Sequence, residues 1–361
     1  MRLALEHVRK QFSGVIALED VTLEVPEGAC LAVLGPSGCG KSTLLRIVAG
    51  LEEPTAGRVM LDDRDMTQAS PASRGVGLVV QDAGLYPHLT LRECLAAAGR
   101  GGRDEVDRAV GEVAGALGLA EVLQRRPGEV SGGQRRRAAL ARELIRRPGV
   151  LLLDEPCASL DPESARDARA VIMRVRAELG CTVILATHDQ DEAFAMADSL
   201  AVMRAGRIEQ VGPPREVHLR PTTRFVGGFL GRPPMCFLRG RVEAGPPARF
   251  HPSGVLGPID LGSVRGPGAG TLPGREVVLG IRPGQVTLAD HGPRMLNVVR
   301  VERLVDRTDV YLDAGEGTIT ASTLRDGDEV RGTYSVGVDS RGAVLFEDSP
   351  EGRRIDVELD A

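Results

Sequence analysis

A glycine-rich loop between an apolar run and a helical segment constrains the fold more than any other feature of the sequence. Residues 31–34 read Leu-Ala-Val-Leu, the loop GPSGCGKST runs from Gly35 to Thr43, and the helical run LLRIVAGL follows. In this G-x-x-x-x-G-K-S pattern, glycines let backbone N–H groups surround phosphate oxygens, and the helix turns its positive end towards them. Strand, loop and helix together predict a phosphate-binding turn within an α/β sheet.

The loop also predicts which side chains hold the phosphates. Lys41 should place its charge at the β- and γ-phosphates of a nucleotide, and the hydroxyl of Ser42 should reach Mg²⁺. Cys39 occupies a free position of the pattern, so we assign no chemistry to its thiol. The nucleotide-binding residues expected in this loop are Gly35, Ser37, Gly38, Cys39, Gly40, Lys41, Ser42 and Thr43.

Two acidic residues follow a second apolar run. Residues Val150–Leu153 end at Asp154 and Glu155, and open α/β sheets bind ligands at the carboxyl ends of their strands. Asp154 is expected to hold Mg²⁺, directly or through water, and Glu155 to act as the general base or to orient the water that attacks the γ-phosphate. A strand ending in Asp-Glu is more often a solvated edge, but the presence of Lys41 favours the catalytic interpretation.

Two more polar residues end apolar runs in the same way. The run 181–187 ends at His188, just before Asp189, which is expected to cap a helix with Glu192 three residues later. We expect His188 to contact the γ-phosphate, because its strand should end at the same sheet edge as the phosphate loop. Gln81 follows the run 77–80. Its amide could reach the metal or the water, although it could equally be an ordinary polar residue at a strand end.

A second candidate anion site lies in residues 130–148, VSGGQRRRAALARELIRRP. Ser131 and Gln134 stand in the S-x-x-Q relation of a capping box at the start of a helix, and Gly132 and Gly133 leave the backbone bare. An exposed helix N-terminus binds anions, yet a nucleotide needs only one such loop, and the chain already has one at Lys41. The surplus site suggests that this segment contacts the ATP of a second molecule.

The composition is that of a folded protein with room for two domains. The chain has 361 residues, of which 42% are apolar and 26% charged, with a mean hydropathy of -0.07. Single hydrophobic cores usually stop growing near ~250–300 residues. The net charge of -5 supplies no general attraction to nucleic acid or to anionic lipid. We therefore expect two domains and no nucleic-acid partner.

The sequence predicts neither a membrane span nor an export signal. No apolar run approaches the roughly 18 residues that a spanning helix needs, and the opening MRLALEHVRKQF lacks the apolar core and cleavage site of a signal peptide. The six cysteines are scattered without a CxxC pair, which favours reduced, metal-free thiols. The chain is expected to stay in the cytoplasm, and any link to a membrane should run through protein.

The pattern of apolar runs changes near residue 230. Before that point, short apolar runs alternate with helical segments, as in an α/β domain. After Phe225, Gly- and Pro-rich stretches separate short runs such as 277–279, 298–301 and 310–312, which indicates a small, mostly β domain. We place the boundary at Pro233 and Pro234, because paired prolines exclude helix and interrupt a strand ladder. The expected domains are 1–233 and 234–361.

The segment 130–134, Val-Ser-Gly-Gly-Gln, resembles the Leu-Ser-Gly-Gly-Gln signature of the ABC ATPases, a family of P-loop NTPases. The resemblance implies that Phe12 stacks on adenine, although a core phenylalanine is the alternative. It also implies that Gln81 is the glutamine-loop residue, that Asp161 lies in the loop touching a partner subunit, and that His188 is the switch histidine. In such a family two copies face head to tail, and each ATP lies between the Lys41 loop of one and the Ser131 segment of the other.

Other segments indicate the branch of the family. Residues 84–96, GLYPHLTLRECLA, look like the importer segment that lines a groove for a coupling helix of the membrane subunit; Leu85 and Tyr86 could line it or pack internally. Residues 221–238 resemble the junction in carbohydrate importers of the maltose and glycerol-phosphate type, with Cys236 where Asn is common. The stretch 277–286, VVLGIRPGQV, is similar to their regulatory domain of OB-like fold.

The resemblance implies an ATP hydrolase that uses ATP and Mg²⁺ to drive solute uptake, with a sugar as the expected cargo. Its expected partners are a second copy or a close paralogue, two membrane permease subunits and, indirectly, an external solute-binding protein. It would lie at the cytoplasmic face of the cell membrane. Polyamine, sulfate or ferric iron importers are alternatives. Soluble ABC ATPases of DNA repair, chromosome structure or translation usually add a second cassette, a coiled coil or a basic face, and a regulator with a dead site is disfavoured by the intact site residues.

Overall fold

The protein is described from a computed structural model, in which residues 1–80, 84–99, 101–158, 161–324, 330 and 332–360 are described. The chain divides into two compact units, Met1–Pro214 and Arg215–Ala361, and each has a hydrophobic core of its own. The expected boundary at Pro233 and Pro234 lies inside the second unit. Within the described residues, no helix is long and apolar enough to cross a membrane.

The first unit alternates strands and helices. Its elements in chain order are β1 (Leu3–Phe12), β2 (Val15–Val25), β3 (Cys30–Leu34), α1 (Lys41–Ala49), β4 (Ala56–Leu61), β5 (Arg64–Asp65), β6 (Val76–Val79), α2 (Leu91–Ala96), α3 (Arg103–Ala116), α4 (Gly132–Leu144), β7 (Val150–Asp154), α5 (Pro162–Leu179), β8 (Thr182–Thr187), α6 (Gln190–Met196), β9 (Ser199–Arg204) and β10 (Arg207–Gly212). This alternation confirms the α/β prediction.

Two sheets organise this unit. One has the order β2-β1-β4-β5, and the other has the order β10-β9-β3-β8-β7-β6. In the second sheet, neighbours from β9 to β6 run parallel and β10 is an antiparallel edge strand. Strands β3 and β8 are buried along their whole length, as expected of a parallel sheet covered on both faces. Their runs of apolar residues are therefore explained by burial on both sides.

The register of the parallel strands brings their carboxyl ends together. Leu34, at the end of β3, pairs with Thr187, at the end of β8. Asp154, at the end of β7, pairs with Ala186. The segments that follow these strands are the phosphate loop, the Asp154–Glu155 turn and the His188 turn, so all three start at one edge of the sheet. This is the arrangement that the sequence predicted.

Helix α1 is fixed at both ends. Its inner face buries Leu44, Leu45, Ile47 and Val48. At its C-terminus, the buried guanidinium of Arg74 donates to the carbonyls of Ile47 at 2.7 Å and Val48 at 3.0 Å. A cation at this end of a helix satisfies orphan carbonyls and offsets the negative end of the helix dipole. The helix that begins with Lys41 is thereby anchored from behind.

The second unit has two short helices followed by strands. Its elements are α7 (Pro214–Leu219), α8 (Arg224–Phe229), β11 (Cys236–Glu243), β12 (Ala248–Pro252), β13 (Ile259–Arg265), β14 (Glu276–Ile281), β15 (Val286–Ala289), β16 (Met295–Arg303), β17 (Thr308–Asp313), β18 (Thr318–Thr323), β19 (Thr333–Val338), β20 (Val344–Glu347) and β21 (Glu358–Asp360). From β11 onward, the prediction of an all-β region is confirmed.

The strands of this unit form one sheet of order β20-β14-β11-β12-β13-β21 and a second of order β15-β19-β16-β17-β18. In the first sheet β20 and β21 are the two edges. Residues 353–355 bond to β20, and β21 begins at Glu358 on the opposite edge. Three residues span at most about 10 Å, so the two edges must approach each other. The sheet therefore curves round on itself, as an OB-like domain requires.

Candidate active site

The phosphate loop is shaped by close backbone packing. It leaves the buried strand β3, and Gly40, just before α1, has a left-handed φ of 111°. A Cβ on Gly40 would lie 2.5 Å from the carbonyl oxygen of Ala17, and a Cβ on Gly35 would collide with the carbonyl oxygen of Met203. Only glycine fits at these two positions. The loop therefore keeps its curled form through contacts with the strands beside it.

Lys41 lies over this loop. Its Nζ donates to the carbonyl oxygen of Gly35 at 2.7 Å and to that of Pro36 at 3.2 Å, and the residue is only 7% exposed. The Cys39 sulfur is 4.0 Å from the same Nζ. Burial raises the pKa of the Cys39 thiol, with Lys41 acting in the opposite direction. The loop thus concentrates positive charge, while the neighbouring thiol stays protonated, as expected for a residue with no assigned chemistry.

Asp154 and Ser42 meet at the sheet edge. Burial raises the pKa of the Asp154 carboxyl, the hydrogen bond with Ser42 opposes that change, and the charge of Glu155 adds to it. The structure therefore brings together the hydroxyl and the carboxylate that were predicted as metal ligands. Both are oxygen donors, the type that Mg²⁺ prefers. Gln81, the third predicted ligand, lies outside the described residues.

Glu155 and His188 form a pair. Glu155 Oε1 lies 2.9 Å from His188 Nδ1, and the side chains are 25% and 57% exposed. The backbone of Glu155 has a φ of 50°, which is uncommon for a residue other than glycine, and its N–H donates to the carbonyl of Ala186 at 2.8 Å. This conformation turns the chain at the end of β7 and directs the carboxylate towards His188.

The start of α6 differs in part from the prediction. Asp189 is the N-cap, and its carboxylate accepts from the N–H of Asp191 at 3.0 Å. Glu192 does not reach back to the Asp189 N–H. Its carboxylate instead accepts from the hydroxyl of Thr187 at 2.5 Å, and that hydroxyl accepts from the Asp189 N–H at 3.0 Å. The Thr187 hydroxyl thus lies between the Asp189 N–H and the Glu192 carboxylate, which were expected to bond directly.

The predicted capping box of α4 is present. The N–H of Gln134 donates to Ser131 Oγ at 3.2 Å, and the N–H of Ser131 donates to Gln134 Oε1 at 3.0 Å. Ser131 and Gly132 are exposed, and a Cβ built on Gly132 or Gly133 would meet no atom within 4 Å. The helix therefore offers an open N-terminus, with bare backbone, to whatever approaches it.

Three predicted contact residues lie at the surface. Phe12 ends β1, is 41% exposed and has Lys10 Nζ 4.6 Å from its ring centre, so it is not the core phenylalanine of the alternative interpretation. Asp161 is exposed, and its carboxylate accepts from the N–H of Glu163 at 3.1 Å. Tyr86 is 50% exposed, whereas Leu85 is half-buried. Tyr86 therefore does not belong to the internal core.

The geometry of this site agrees with sequence comparison. Residues 18–158 match the protein family described as ABC transporter. A sulfoquinovosyl glycerol transport ATP-binding protein (SmoE) of Agrobacterium fabrum is 39% identical over 358 residues, covering 97% of this chain and 98% of the relative. The chain belongs to the ABC transporter family.

Two more relatives differ in what their names say they import. The maltose/maltodextrin import ATP-binding protein (MalK) of Vibrio cholerae is 37% identical over 358 residues, covering 95% of this ABC chain and 94% of the relative. The spermidine/putrescine import ATP-binding protein (PotA) of Acidothermus cellulolyticus is 40% identical over 315 residues, covering 82% and 80%. The relatives are thus similar over most of their length, whatever their cargo.

Solved ABC cassettes share the fold. The cbiO1 structure from Clostridium perfringens, described as part of an ABC transporter complex, has a TM-score of 0.56 at 30% identity, covering 60% of this chain and 89% of that one. A dimeric cassette in a post-hydrolysis state, bound to ADP and Pi, has a TM-score of 0.54 at 28% identity, covering 59% and 99%. The fold is therefore one that binds nucleotide.

Sequence reasoning missed Arg74 as a support of this ABC site. Arg74 is 2% exposed, and besides α1 it donates to the carbonyls of Ala69 at 3.0 Å and Thr67 at 2.9 Å. All its partners are backbone carbonyls, which leave no side-chain pattern in the sequence. The only available signal was a charged residue close to the start of the apolar strand β6.

Proposed function

We propose that this chain is the ATP-hydrolysing subunit of an ABC importer that takes up a sugar or a sugar derivative. One observation supports ATP hydrolysis. The Lys41 loop, the Ser42–Asp154 contact and the Glu155–His188 pair all lie at one edge of the sheet. These groups supply phosphate binding, metal ligands and a base, which are the components of phosphoanhydride hydrolysis. The assignment of a sugar as the transported solute rests on similarity to known proteins alone.

The phosphate loop and Lys41 would bind the nucleotide. Backbone N–H groups of Gly38 to Thr43 and the positive end of α1 favour the β-phosphate, and the Lys41 ammonium adds a point charge. Phe12 is exposed at the end of β1, where its ring is free to stack on a base. Binding would thus combine charge at the phosphates with an apolar surface for the adenine.

The residues present fit a magnesium ion. Ser42 and Asp154 would hold it, and Gln81 is the third proposed ligand. Among the described residues there is no group of three or more His, Cys, Asp or Glu side chains that could hold a metal, but Mg²⁺ usually takes one or two carboxylates and completes its shell with substrate phosphates and water. When bound, the ion would neutralise charge on the phosphates.

Glu155 and His188 would carry the chemical step. Water attacks the γ-phosphorus, Glu155 orients this water and accepts its proton, and the bond to the β–γ bridging oxygen breaks to give ADP and phosphate. His188 is held by Glu155 at 2.9 Å and would contact the γ-phosphate. The imidazole is exposed and bonded to Glu155, so a contact between His188 and the γ-phosphate would also affect the position of the base.

A second copy would complete each site. The N-terminus of α4 is open, capped by Ser131 and long enough, with 13 residues, to have a helix dipole. In a head-to-tail pair, the Ser131–Gln134 segment of one copy would face the ATP on the Lys41 loop of the other, with Asp161 at the contact between copies. A solved relative with the same fold is described as a dimeric cassette, which supports this arrangement.

Membrane permeases are the proposed partners outside the pair. The exposed Tyr86 and the half-buried Leu85 lie in the segment that resembles the groove for a coupling helix. Such contacts would hold the chain at the cytoplasmic face of the membrane, with an external solute-binding protein delivering cargo to the permeases. Tyr86 offers the amphipathic ring that is common at protein interfaces.

Sugar is the proposed cargo because the relatives named for sulfoquinovosyl glycerol and maltose are similar to this chain over almost its whole length, the second unit included. The departure at Cys236 does not weaken this assignment. Its sulfur accepts from the N–H of Thr320 at 3.2 Å inside the β core. The cysteine is therefore accommodated in the core of the second unit, where it is only 7% exposed.

The test is uptake in cells that lack this gene. Labelled oligosaccharides, polyols, glycerol phosphate, spermidine, sulfate and ferric iron are compared, and the deletion is complemented by the wild type or by Glu155→Gln. We expect loss of one carbohydrate, restored only by the wild type. Loss of spermidine, sulfate or iron uptake with every carbohydrate unaffected would overturn the cargo while leaving the ATPase intact.

A further inference from the structure

A buried polar cluster lies beside the Glu155–His188 pair and takes part in no step of the proposed hydrolysis. Glu192, in the first turn of α6, and Thr187, the last residue of β8, are each 1% exposed. The Thr187 hydroxyl donates to Glu192 Oε2 at 2.5 Å and accepts from the N–H of Asp189 at 3.0 Å. The backbone on both sides of His188 is therefore tied to one buried carboxylate.

Burying this carboxylate is costly. Glu192 Oε1 is also buried, and in the part of the chain that the structure describes no nitrogen or oxygen donates a hydrogen bond to it; the donor beside this carboxylate is the thiol of Cys157, which is a weak one. A buried acceptor without a strong donor destabilises the folded chain, and more so when it is charged. An apolar residue at this position of α6 would avoid that cost. The carboxylate therefore calls for an explanation other than the stability of the helix.

The same carboxylate also faces the segment that carries Glu155. Cys157 follows Glu155 by two residues and is buried. Burial, and after it the charge of Glu192 and a hydrogen bond to its carboxylate, raise the pKa of the Cys157 thiol, so the two side chains are neighbours. Glu192 thus bonds to Thr187, just before His188, and neighbours Cys157, two residues after Glu155.

His188 needs such support because its own packing is sparse. Its side chain is 57% exposed, so few neighbours restrict the ring, and its position depends on the backbone of residues 187–189. A misplacement of about 1 Å at a reacting group can cost roughly 100-fold in rate. Fixing this backbone would therefore protect turnover, which gives the buried carboxylate a role that helix stability does not.

We infer that Glu192, acting through the Thr187 hydroxyl, is a positioning residue that keeps His188 in register with Glu155. Glu192 is buried behind the pair and acts only through Thr187, so it is not a catalytic residue. The inference rests on the proposed roles of Glu155 and His188 in ATP hydrolysis. It predicts a defect in turnover without a defect in ATP binding.

The test is a set of buried substitutions in the full-length chain. Thr187→Val removes the hydroxyl while keeping the shape, Glu192→Leu removes the acceptor, and Glu192→Gln keeps one oxygen to accept from Thr187. The matched control is Thr182→Val at the opposite end of β8, where the hydroxyl is equally buried and bonds to Gly28 N at 2.9 Å and to Met1 O at 2.6 Å. ATP turnover, ATP dissociation constant and Tm are measured for each variant.

We expect Thr187→Val and Glu192→Leu to lower kcat roughly 10- to 100-fold with ATP affinity unchanged within about twofold. Glu192→Gln should keep most of the turnover, and Thr182→Val should lower Tm without lowering kcat. Because Glu192 acts through His188, adding Thr187→Val to His188→Ala should cause no further loss, whereas independent effects would multiply.

Wild-type kcat in Thr187→Val, an equal loss of kcat in Thr182→Val, or multiplying losses with His188→Ala would each overturn the inference. If Glu155→Gln and His188→Ala keep normal turnover in the same assay, the proposed function itself fails. If those two variants are inactive while Thr187→Val turns over normally, only the positioning role of Glu192 fails.

Discussion

Replacing Glu155 by Gln tests the base directly. The amide has the shape of the carboxylate, so the left-handed backbone at φ 50° and the approach of its Oε1 to His188 Nδ1, at 2.9 Å in the wild type, should be retained. What the variant loses is the ability to accept a proton from the attacking water. The structure therefore predicts a defect confined to the chemical step.

The magnitude follows from the value of a positioned base. General-base catalysis contributes about 10²–10⁴ in rate, which corresponds to about 2.7–5.4 kcal/mol in the activation barrier. Since Lys41, Ser42 and Asp154 are unchanged, the dissociation constant for ATP should stay within about threefold of the wild type. Slow turnover with intact binding should then allow an ATP-bound dimer to accumulate.

The assay measures phosphate release, ATP binding and the size of the particle for the same preparation. Glu121→Gln, an exposed glutamate of the first unit, is the control for loss of one negative charge and should turn over normally. Near-normal hydrolysis by Glu155→Gln would remove Glu155 from the role of base. Loss of ATP binding in parallel with turnover would instead show that Glu155 supports the nucleotide site.

Four other predictions follow from the contacts described. Mixing Lys41→Ala and Ser131→Arg chains should form one composite site with both lesions and one with neither, so the mixture should regain binding and hydrolysis above either variant alone; no gain on mixing would contradict a shared site. Because burial raises the pKa of the Asp154 carboxyl, its charged form destabilises the folded chain; Asp154→Asn should raise the Tm of the nucleotide-free chain near pH 7, and this gain should vanish as the pH falls through the folded pKa and the wild-type group becomes neutral. Arg74→Met should lower the free energy of unfolding by about 2–4 kcal/mol, because it strands buried carbonyls, and a Tm equal to that of the wild type would refute the anchor. A fragment that ends at Pro214 should fold and hydrolyse ATP, which size-exclusion chromatography and phosphate release can check.

The parts of the site that the sequence predicts are those set by local chemistry. The loop that ends at Lys41 requires glycines at fixed spacing, and the cap that joins Ser131 to Gln134 spans only three residues, so both patterns are visible in the sequence. The apolar runs of β7 and β8 end where Asp154 and His188 begin, and parallel pairing then places these ends at one edge. Periodicity and turn chemistry suffice for all of these features.

The parts that the sequence does not predict depend on contacts between distant segments. The partners of Arg74 are carbonyls, which every residue possesses, so no residue type marks them. The left-handed backbone of Glu155 occurs where the chain leaves β7 and the Glu155 N–H bonds to Ala186 of the neighbouring strand β8. Glu192 fits the pattern of a local cap, but the Thr187 hydroxyl captures its carboxylate, because the strand end and the first turn of α6 are brought together only in the fold.

The residues proposed for catalysis and the residues that resemble carbohydrate importers lie in different parts of the chain. Every described residue proposed for nucleotide binding or hydrolysis lies within Met1–Pro214, and such residues must look alike in any ABC ATPase because the reaction is the same. The resemblance to carbohydrate importers rests on residues 221–238 and 277–286, which belong to the second unit. There Val277, Leu279 and Ile281 are buried in the β core, and Cys236 bonds to Thr320 in the interior. These residues are similar because they pack in the same kind of β core, and not because they contact a solute. The similarity therefore favours a sugar as cargo, whereas the chemistry of the ATPase site is the same for any transported solute.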